Sequence, residues 1–527
     1  MKDINVNRKD RKINEQVIWI LGIGLIWRTI IASFLPPGYD EAYYYLYSKY
    51  LDWSYFDHPL LVAFTTGIGV WLTSIVNQFT IRIGCLILHT VSLYLLYLTA
   101  KKLFNPQAGY FTLLIASLIP IFNIAFGVLT LPDVPLMFFW TLTLYFASEE
   151  FFRQREYQPS YRLILICVAV GGACLGKYHG FTLGFSLIGF CLSAPHHRQV
   201  FKSVWLWWGL LSFVVILFPL WYWNWQHDWI SLGFQLSGRF EGGERHINLL
   251  NFLVYFLATV GYLFPSFGFP LWWIAIKATL MEILQRPHYP SQLILWFSLP
   301  LMVGFTLLGA VTQILPTWAL AGFWSMTILL GYYTSVWTRE FPRRVKNWLI
   351  ISGGMINTLL LIGLLHFTTG LLQNPNQYPF PIGFISPEND PSNELLDVVQ
   401  LGREFQSSPQ FQQVINNSDF VFTNVYYLGG YLAMALAQNE ATKDMPVTCF
   451  SNDARGFSFW LPLQQFLGKN ALYITTETFG SDEEANQEFA NYFADFNRIT
   501  EITVKRAGAV TETVYVYEGK NFQTIPN

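Results

Sequence analysis

The chain has 527 residues, of which 53% are hydrophobic, 18% are aromatic and only 13% are charged. Soluble domains carry about 25% charged residues, so this composition excludes an ordinary soluble protein and predicts a polytopic α-helical membrane protein. The formal net charge of −2 gives no reason to expect a nucleic-acid partner.

Long apolar segments follow one another through the first 370 residues. A helix needs about 20 mostly apolar residues to cross a bilayer. About eleven segments fit this description, and we predict a transmembrane helix for each: 16–35, 80–100, 107–128, 133–152, 161–177, 179–194, 204–224, 250–275, 291–311, 314–337 and 347–370.

The cations of the connecting loops predict an orientation. The N-terminal tail and every second loop after it are basic, and such loops lie on the cytoplasmic side. An odd number of spans then places the C-terminus outside the cytoplasm. No small-residue cleavage site follows the first span, so we interpret it as a retained anchor rather than a signal peptide.

The composition changes after the last predicted span. Residues 1–371 form the predicted transmembrane domain, and residues 372–392, rich in Pro and Asn, are predicted to be a linker. In residues 393–527, strand-like segments such as DFVFTNVYY and MPVTCF alternate with helical patterns such as SDEEANQEFANYFADF at 481–496, which predicts a small extracytoplasmic α/β domain. The Gly429-Gly430 pair in this region is interpreted as part of a turn.

The first outer loop, PPGYDEAYYYLYSKYLDWSYFDHPLL at 36–61, is the strongest candidate for a site. Its aromatic spacing predicts a helix on which Asp40 shares a face with Tyr44, while Glu41 points about 100° away. One acid is then available for chemistry, and the other can hold the helix. A purely structural alternative is that Asp40 caps the helix after the two prolines.

A second polar group follows in the same loop, namely Asp52, Asp57 and His58. These side chains either shape the loop or hold an acceptor, since the sequence does not distinguish the two roles. Their spacing is not diagnostic of a metal site, and we predict that no metal ion or other cofactor is required.

Three further charged residues lie at or inside predicted spans. Asp133, in LPDVPL, opens the fourth span and either caps that helix or serves a site. Arg28 lies within the first span, where pairing with a carboxylate such as Asp133 is one role. Lys177, in GGACLGKYHG, either extends to the membrane surface or binds an anionic lipid head group. The same segment is not a nucleotide-binding loop, because Tyr178 stands where such loops have the Ser or Thr whose hydroxyl binds magnesium.

The loop after the seventh predicted span mixes cations, acids and aromatic residues in WNWQHDWISLGFQLSGRFEGGERH. Arg239 is its best candidate for a phosphate contact, because a guanidinium group binds phosphate through two parallel hydrogen bonds. The alternative interpretation of the neighbouring charged residues is that they belong to an ordinary solvent-exposed loop.

The segments YDEAYYYLYSKYLDWSYFDHPLLVA, LPDVPL, GKYHG and SNDARGFSFWLPLQQFLGKNALYIT together resemble bacterial glycosyltransferase family 39. That family belongs to the GT-C class, with protein O-mannosyltransferases and the lipid A aminoarabinose transferase. The resemblance implies an enzyme of the inner membrane that takes a sugar from a polyprenyl-phosphate carrier at the outer face. It also implies that Asp40, beside Glu41, is catalytic, and that Asp133 and Lys177 belong to the site.

The expected reaction is an inverting displacement in which Asp40 takes a proton from the acceptor. Lys177 and Arg239 are expected to contact the phosphate, while Tyr44, His58, Asp133 and Arg28 complete the predicted substrate site. The partners would be the lipid-linked donor and a lipid, glycan or protein acceptor. A flippase for lipid-linked sugars is the alternative function, but it would need polar groups along the whole width of the bilayer.

Overall fold

The computed structural model describes residues 2–154, 156–236, 247–285, 287–373, 383–386, 389–480 and 483–525, with the side chains of the first helix from residue 12 onward. A helical bundle forms the first two-thirds of the chain, and a mixed sheet flanked by helices follows it. This order agrees with a mostly helical membrane protein that ends in a sheet domain.

The bundle contains seventeen α-helices among the described residues. They are α1 Lys2–Phe34, α2 Tyr39–Lys49, α3 Leu61–Thr73, α4 Ile83–Leu103, α5 Pro106–Leu118, α6 Pro120–Ala125, α7 Asp133–Phe151, α8 Arg162–Gly176, α9 Phe181–Ser193, α10 Val204–Ile216, α11 Phe218–Gln226, α12 Ile230–Leu236, α13 Leu249–Tyr262, α14 Pro265–Leu284, α15 Tyr289–Leu308, α16 Leu320–Glu340 and α17 Pro342–Thr369.

Five of the described helices are long and apolar enough to cross a membrane: Lys12–Phe34, Thr80–Leu103, Pro265–Leu284, Tyr289–Leu308 and Pro342–Thr369. A sixth span is obtained if the short helix Pro195–Lys202 and α10, which meet at 68°, are counted together. The chain is therefore a multi-pass membrane protein, with fewer spans by this measure than the sequence predicts.

Three predicted spans are each divided between two α-helices. The segment 204–224 divides because α10 ends at Ile216 and α11 begins at Phe218. The segment 107–128 divides because α5 ends at Leu118 and α6 begins at Pro120. The segment 250–275 divides because α13 ends at Tyr262 and α14 begins at Pro265. Proline lacks the N–H that a continuous helix requires and fits the first turn of a new one.

The C-terminal sheet domain consists of β1 Phe420–Thr423, β2 Val447–Cys449, β3 Ala471–Thr476, β4 Phe493–Arg506 and β5 Ala509–Phe522, with helices α18 Val398–Ser407, α19 Pro409–Ile415, α20 Tyr426–Leu436, α21 Phe457–Trp460, α22 Glu477–Gly480 and α23 Glu483–Ala490. The strand order is β2-β1-β3-β5-β4. Strands β2, β1 and β3 run parallel, whereas β5 is antiparallel to both β3 and β4.

The structure corrects two local predictions in this domain. Gly429 and Gly430 lie inside α20 rather than in a turn. Residues 493–496, expected at the end of a helix, begin β4, because this segment pairs with β5 in a long hairpin. Cross-strand pairing outweighs the local helical pattern there.

Two reciprocal hydrogen bonds tie α7 to α16 in the core of the bundle. The indole of Trp140 donates to Ser325 at 2.8 Å, and the indole of Trp324 donates to Thr141 at 2.9 Å. All four residues are fully buried. Each polar group of these side chains therefore has a partner, and burying the two large rings stabilises the bundle without an unpaired donor.

Helix α2 lies on the side of the bundle that contacts the C-terminal sheet domain. It packs so closely on α20 that a Cβ atom built at Gly430 would lie 2.3 Å from the carbonyl carbon of Ala42. Nearby, the Tyr431 hydroxyl donates to the carbonyl of Pro37 at 2.7 Å, and Lys49 donates to the carbonyl of Lys443 at 3.0 Å. The sheet domain therefore forms one wall of the packing around α2.

A buried ion pair fixes the other side of α2. Arg82 uses all five of its N–H donors, on both carboxylate oxygens of Glu41 and on the carbonyls of Ala32, Leu35 and Pro36. Glu41 also accepts from the backbone N–H of Gly38 and of Thr130, both at 2.9 Å. A buried charge pair whose hydrogen bonds are all made holds its surroundings in one arrangement.

The Arg82→Met variant should lose about 3–5 kcal/mol of stability, because it leaves the Glu41 carboxylate buried without its partner. Thermal unfolding in detergent measures the loss. Lys443→Met is the matched control, since it removes an exposed ion pair with Glu440 and should change stability by less than about 1 kcal/mol. Equal unfolding midpoints for the two variants would show that the buried pair does not hold α2.

Candidate active site

One cavity of about 990 Å³ lies where α2, the bundle and the C-terminal sheet domain meet. Its polar wall contains five of the eight residues proposed for the site from the sequence, Asp40, Tyr44, His58, Asp133 and Lys177. Two residues from the sheet domain, Tyr426 and Arg455, complete that wall.

The Asp40 carboxylate is the free acid of this cavity. Its side chain is exposed to the cavity, and no hydrogen bond to it occurs within the described residues. Burial away from bulk water raises the pKa of Asp40, the charge of Asp57 raises it further, and the cations Arg455 and Lys177 oppose the rise. A carboxylate with a raised pKa and free lone pairs can accept a proton from a bound molecule.

Arg455 brings a cation from the sheet domain to the cavity. It lies in the loop between β2 and α21, and its guanidinium stands 3.9 Å above the Tyr426 ring. One nitrogen donates to Asp57 at 3.2 Å, and the guanidinium also pairs with Asp453. Burial is the largest single effect and lowers the pKa of Arg455, but the nearby acids, Asp57 foremost, and the tyrosines together raise it above its usual value, so this group stays cationic.

Asp57 links this cation to the first outer loop. It is fully buried and accepts hydrogen bonds from Arg455 and from the hydroxyl of Tyr47 on α2. His58 follows it in the cavity wall, where its ring meets the Tyr44 ring edge to face at 5.7 Å. Asp52, the third residue of the polar group predicted in this loop, lies apart from the other two and accepts a hydrogen bond from the indole of Trp223 at 2.8 Å.

Lys177 and Asp133 form an ion pair in the wall of the same cavity. The ammonium nitrogen lies 2.9 and 2.8 Å from the two carboxylate oxygens. Asp133 thus binds Lys177 rather than capping α7, and Lys177 does not extend to the membrane surface as one alternative proposed. Lys177 presents a partly compensated positive charge to the cavity, and its charge acts on Asp40.

The rest of the cavity is largely apolar and reaches the outside of the bundle. Val254 on α13 lines the cavity and is 58% exposed, and Leu257, one turn further along α13, is 56% exposed without lining it, so this side of the cavity adjoins the apolar outer surface of that helix. Tyr255, Leu315 and Trp318 continue this wall. The combination suits an amphipathic ligand whose charged group lies at Asp40 and whose chain leaves toward lipid.

Two residues predicted for the site lie elsewhere. Glu41 does not line the cavity; its bonds to Arg82, Gly38 and Thr130 give it, rather than Asp40, the role of holding and capping α2. Arg28 is buried in the bundle and donates to Asn123 at 3.4 Å and to Thr90 at 3.1 Å. Within the described residues the partner of Asp133 is Lys177, and Arg28 makes no ion pair with it.

Arg239 lies outside the described residues, so its role as a phosphate contact stays a prediction. Among the residues that the structure describes, no group of three or more His, Cys, Asp or Glu side chains is placed to hold a metal ion.

Sequence reasoning missed Arg455 and Tyr426 as site residues. A signal for them was present, because the segments MPVTCF and DFVFTNVYY were already assigned to strands. Ligands of open α/β sheets bind beyond the carboxyl ends of parallel strands, and both residues follow such ends, after β2 and β1.

Comparison with known proteins agrees with this geometry. A model of the family of dolichyl-phosphate-mannose-protein mannosyltransferases matches residues 57–223. The lipid A galacturonosyltransferase RgtD of Rhizobium johnstonii is 26% identical over 348 residues, which cover 63% of this chain and 68% of that protein.

Crystal structures of ArnT from Cupriavidus metallidurans, in the apo state and bound to undecaprenyl phosphate, share this fold. Each superposes with a TM-score of 0.62 at 14% identity, covering 95% of this chain and 98% of ArnT. The chain is thus similar in sequence to membrane glycosyltransferases over part of its length, and it has the fold of ArnT over nearly all of it.

Proposed function

We propose that this protein is a glycosyltransferase that moves a sugar from a polyprenyl-phosphate carrier to an acceptor at the outer face of the membrane. The observation that carries the proposal is the meeting of a free carboxylate, Asp40, with the cations Lys177 and Arg455 in a cavity that opens toward lipid. The carrier's chain would leave past Val254, and its phosphate would lie between the cations.

The proposed reaction is a single inverting displacement. The acceptor hydroxyl oxygen attacks the anomeric carbon, and the bond from that carbon to the phosphate oxygen breaks. Asp40 takes the hydroxyl proton, while polyprenyl phosphate leaves with the electron pair of the broken bond. Lys177 and Arg455 stabilise the charge that develops on the leaving phosphate.

The relatives support the class of both substrates. ArnT has been crystallised with undecaprenyl phosphate, which is the leaving group that the proposed reaction releases. RgtD is named for transfer of galacturonate to lipid A, which supports a lipid or glycan acceptor for this chain. With a phosphate as acceptor no proton would need to be removed, and Asp40 would then orient the substrate.

We further propose that the N-terminus is cytoplasmic and that the C-terminal sheet domain lies outside, as the basic loops predict. The cavity would then open at the outer leaflet. A flippase is not favoured, because the charges of Lys177 and Arg455 both act on Asp40 at one place and do not follow a path through the bundle.

The Asp40→Asn variant should lower the rate of transfer by about 10²- to 10⁴-fold, since the amide cannot accept the proton. Release of polyprenyl phosphate from a synthetic polyprenyl-phosphate sugar measures the rate in the purified protein. Binding of polyprenyl phosphate should be retained. Wild-type turnover in this variant would remove Asp40 from the mechanism, and translocation of the donor without cleavage would favour the flippase.

The acidic limb of the rate profile should lie at a higher pH than for an ordinary aspartate, because the pKa of Asp40 is raised and only the deprotonated form can act as a base. Arg455→Gln removes a cation that lowers this pKa and should move the limb further toward alkaline pH. The dependence of kcat/KM on pH measures the shift. An unchanged limb in Arg455→Gln would contradict the electrostatic link.

Lys177→Met should weaken binding of polyprenyl phosphate by about 10-fold or more, the effect of losing one charge-assisted hydrogen bond. Because the same change leaves Asp133 without its partner, the double variant Asp133→Asn with Lys177→Met is the matched control. The double variant should regain stability but not lipid affinity. If the double variant recovered both stability and affinity for polyprenyl phosphate, the role of Lys177 would be purely structural.

A further inference from the structure

A separate pocket of about 300 Å³ lies where the last turns of α1 and α17 meet the hairpin of β4 and β5. Both helices are long and apolar enough to cross a membrane, and Ser33, Phe34, Phe367 and Thr368 at their ends line the pocket. The pocket therefore lies where two spans leave the bilayer, at the level of the lipid head groups. No described residue lines both this pocket and the cavity that contains Asp40.

One side of this pocket adjoins the apolar outer surface of α1. Phe34 lines the pocket and is 62% exposed, and Ile30, one turn earlier on the same spanning helix, is 39% exposed without lining it. In a bilayer this apolar surface contacts the acyl chains of lipids. A molecule that carries both a polar group and acyl chains can therefore reach the pocket from the membrane.

The lining also contains two charged side chains that do not neutralise each other. Lys505 lies near the end of β4, Asp397 is the N-cap of α18, and both side chains are exposed. The backbone N–H of Lys505 donates to the side-chain oxygen of Gln400 at 2.9 Å, and the backbone N–H of Gln400 donates to Oδ1 of Asp397 at 3.0 Å. The two backbones are thus tied together, yet within the described residues neither the Lys505 ammonium nor Oδ2 of Asp397 has an ion pair or hydrogen bond.

The remaining charge in the lining is already paired. Arg506 is 9% exposed, donates to Ser392 at 2.6 Å and lies 3.3 Å from Asp390. Lys505 and Asp397 are therefore the cation and the acid that the described lining offers to a ligand. This combination suits a group that carries both charges, because a phosphate pairs with an ammonium group and a protonated amine donates to a carboxylate. A purely anionic group would be repelled by the carboxylate, and a quaternary ammonium has no N–H to donate to it.

We infer that this pocket binds the head group of a phospholipid with a primary amine, phosphatidylethanolamine. Its phosphate pairs with Lys505, its ammonium group donates to Oδ2 of Asp397, and its acyl chains lie along the outer surface of α1. The sheet domain is already tied to α2 by the N–H of Gly456, which donates to the hydroxyl of Tyr43 at 2.9 Å. The bound lipid adds a second tie, between the spanning helices and the hairpin, so the membrane itself helps to hold the sheet domain in place.

Native mass spectrometry of the full-length protein tests the assignment, after release from nanodiscs that contain dioleoyl phosphatidylethanolamine, phosphatidylcholine and phosphatidylglycerol in equal amounts. Phosphatidylethanolamine should be the lipid that the wild type retains most. Lys505→Gln and Asp397→Asn should each lower the retained phosphatidylethanolamine about 2- to 5-fold, the effect of losing one partly exposed ion pair. Asparagine also caps helices, so Asp397→Asn keeps the start of α18 intact.

Lys520→Gln is the matched control, because Lys520 is an exposed lysine near the other end of the hairpin and does not line the pocket. It should retain lipid as the wild type does. Glycerophosphoethanolamine, which has the head group but no acyl chains, should not displace the lipid. The inference is overturned if the wild type retains phosphatidylcholine or phosphatidylglycerol as well as phosphatidylethanolamine, if both pocket variants behave like the wild type, or if the soluble head group competes at the same concentration as the lipid.

Discussion

The ion pair between Glu41 and Arg82 holds together the end of α1, the start of α2 and the backbone before Asp133, the segments that bring Asp40 to the cavity. Arg82 donates to three backbone carbonyls at the end of α1. Glu41 binds the start of α2 and the backbone N–H of Thr130, three residues before Asp133. Because the pair is buried and fully hydrogen-bonded, these segments have one compatible arrangement. Asp40, adjacent to Glu41, is thereby aimed into the cavity while making no bond of its own within the described residues.

The cavity combines two chemical environments that neither part of the chain provides alone. The bundle contributes the Lys177–Asp133 pair and an apolar route along α13, whereas the sheet domain contributes Arg455 on Tyr426. The carboxyl ends of the parallel strands face α2, so the sheet domain meets the bundle by the edge at which α/β folds bind ligands. The sheet domain therefore supplies part of the lining of the candidate site.

The helical pattern of GYDEAYYYLYSKYL was enough to predict α2 and the divergence of Asp40 from Glu41, since side-chain direction in a helix follows from residue spacing. Composition likewise predicted a membrane protein ending in a sheet domain. Partners across the fold were not predictable: Lys177 with Asp133, Arg82 with Glu41 and Asp57 with Arg455 are separated by 44, 41 and 398 positions. The break at Pro265 was missed because hydropathy alone does not register where a helix restarts.

The contact between Tyr43 and Gly456 joins residues that are 413 positions apart in the chain. A ribosome makes the helix that carries Asp40 long before the loop that carries Arg455. The helix must therefore wait for the synthesis of about 413 further residues before its second wall exists. A nascent chain that stops short of this loop has the acid without the cation beside it, so the full set of charges in the cavity forms only after the sheet domain has been made.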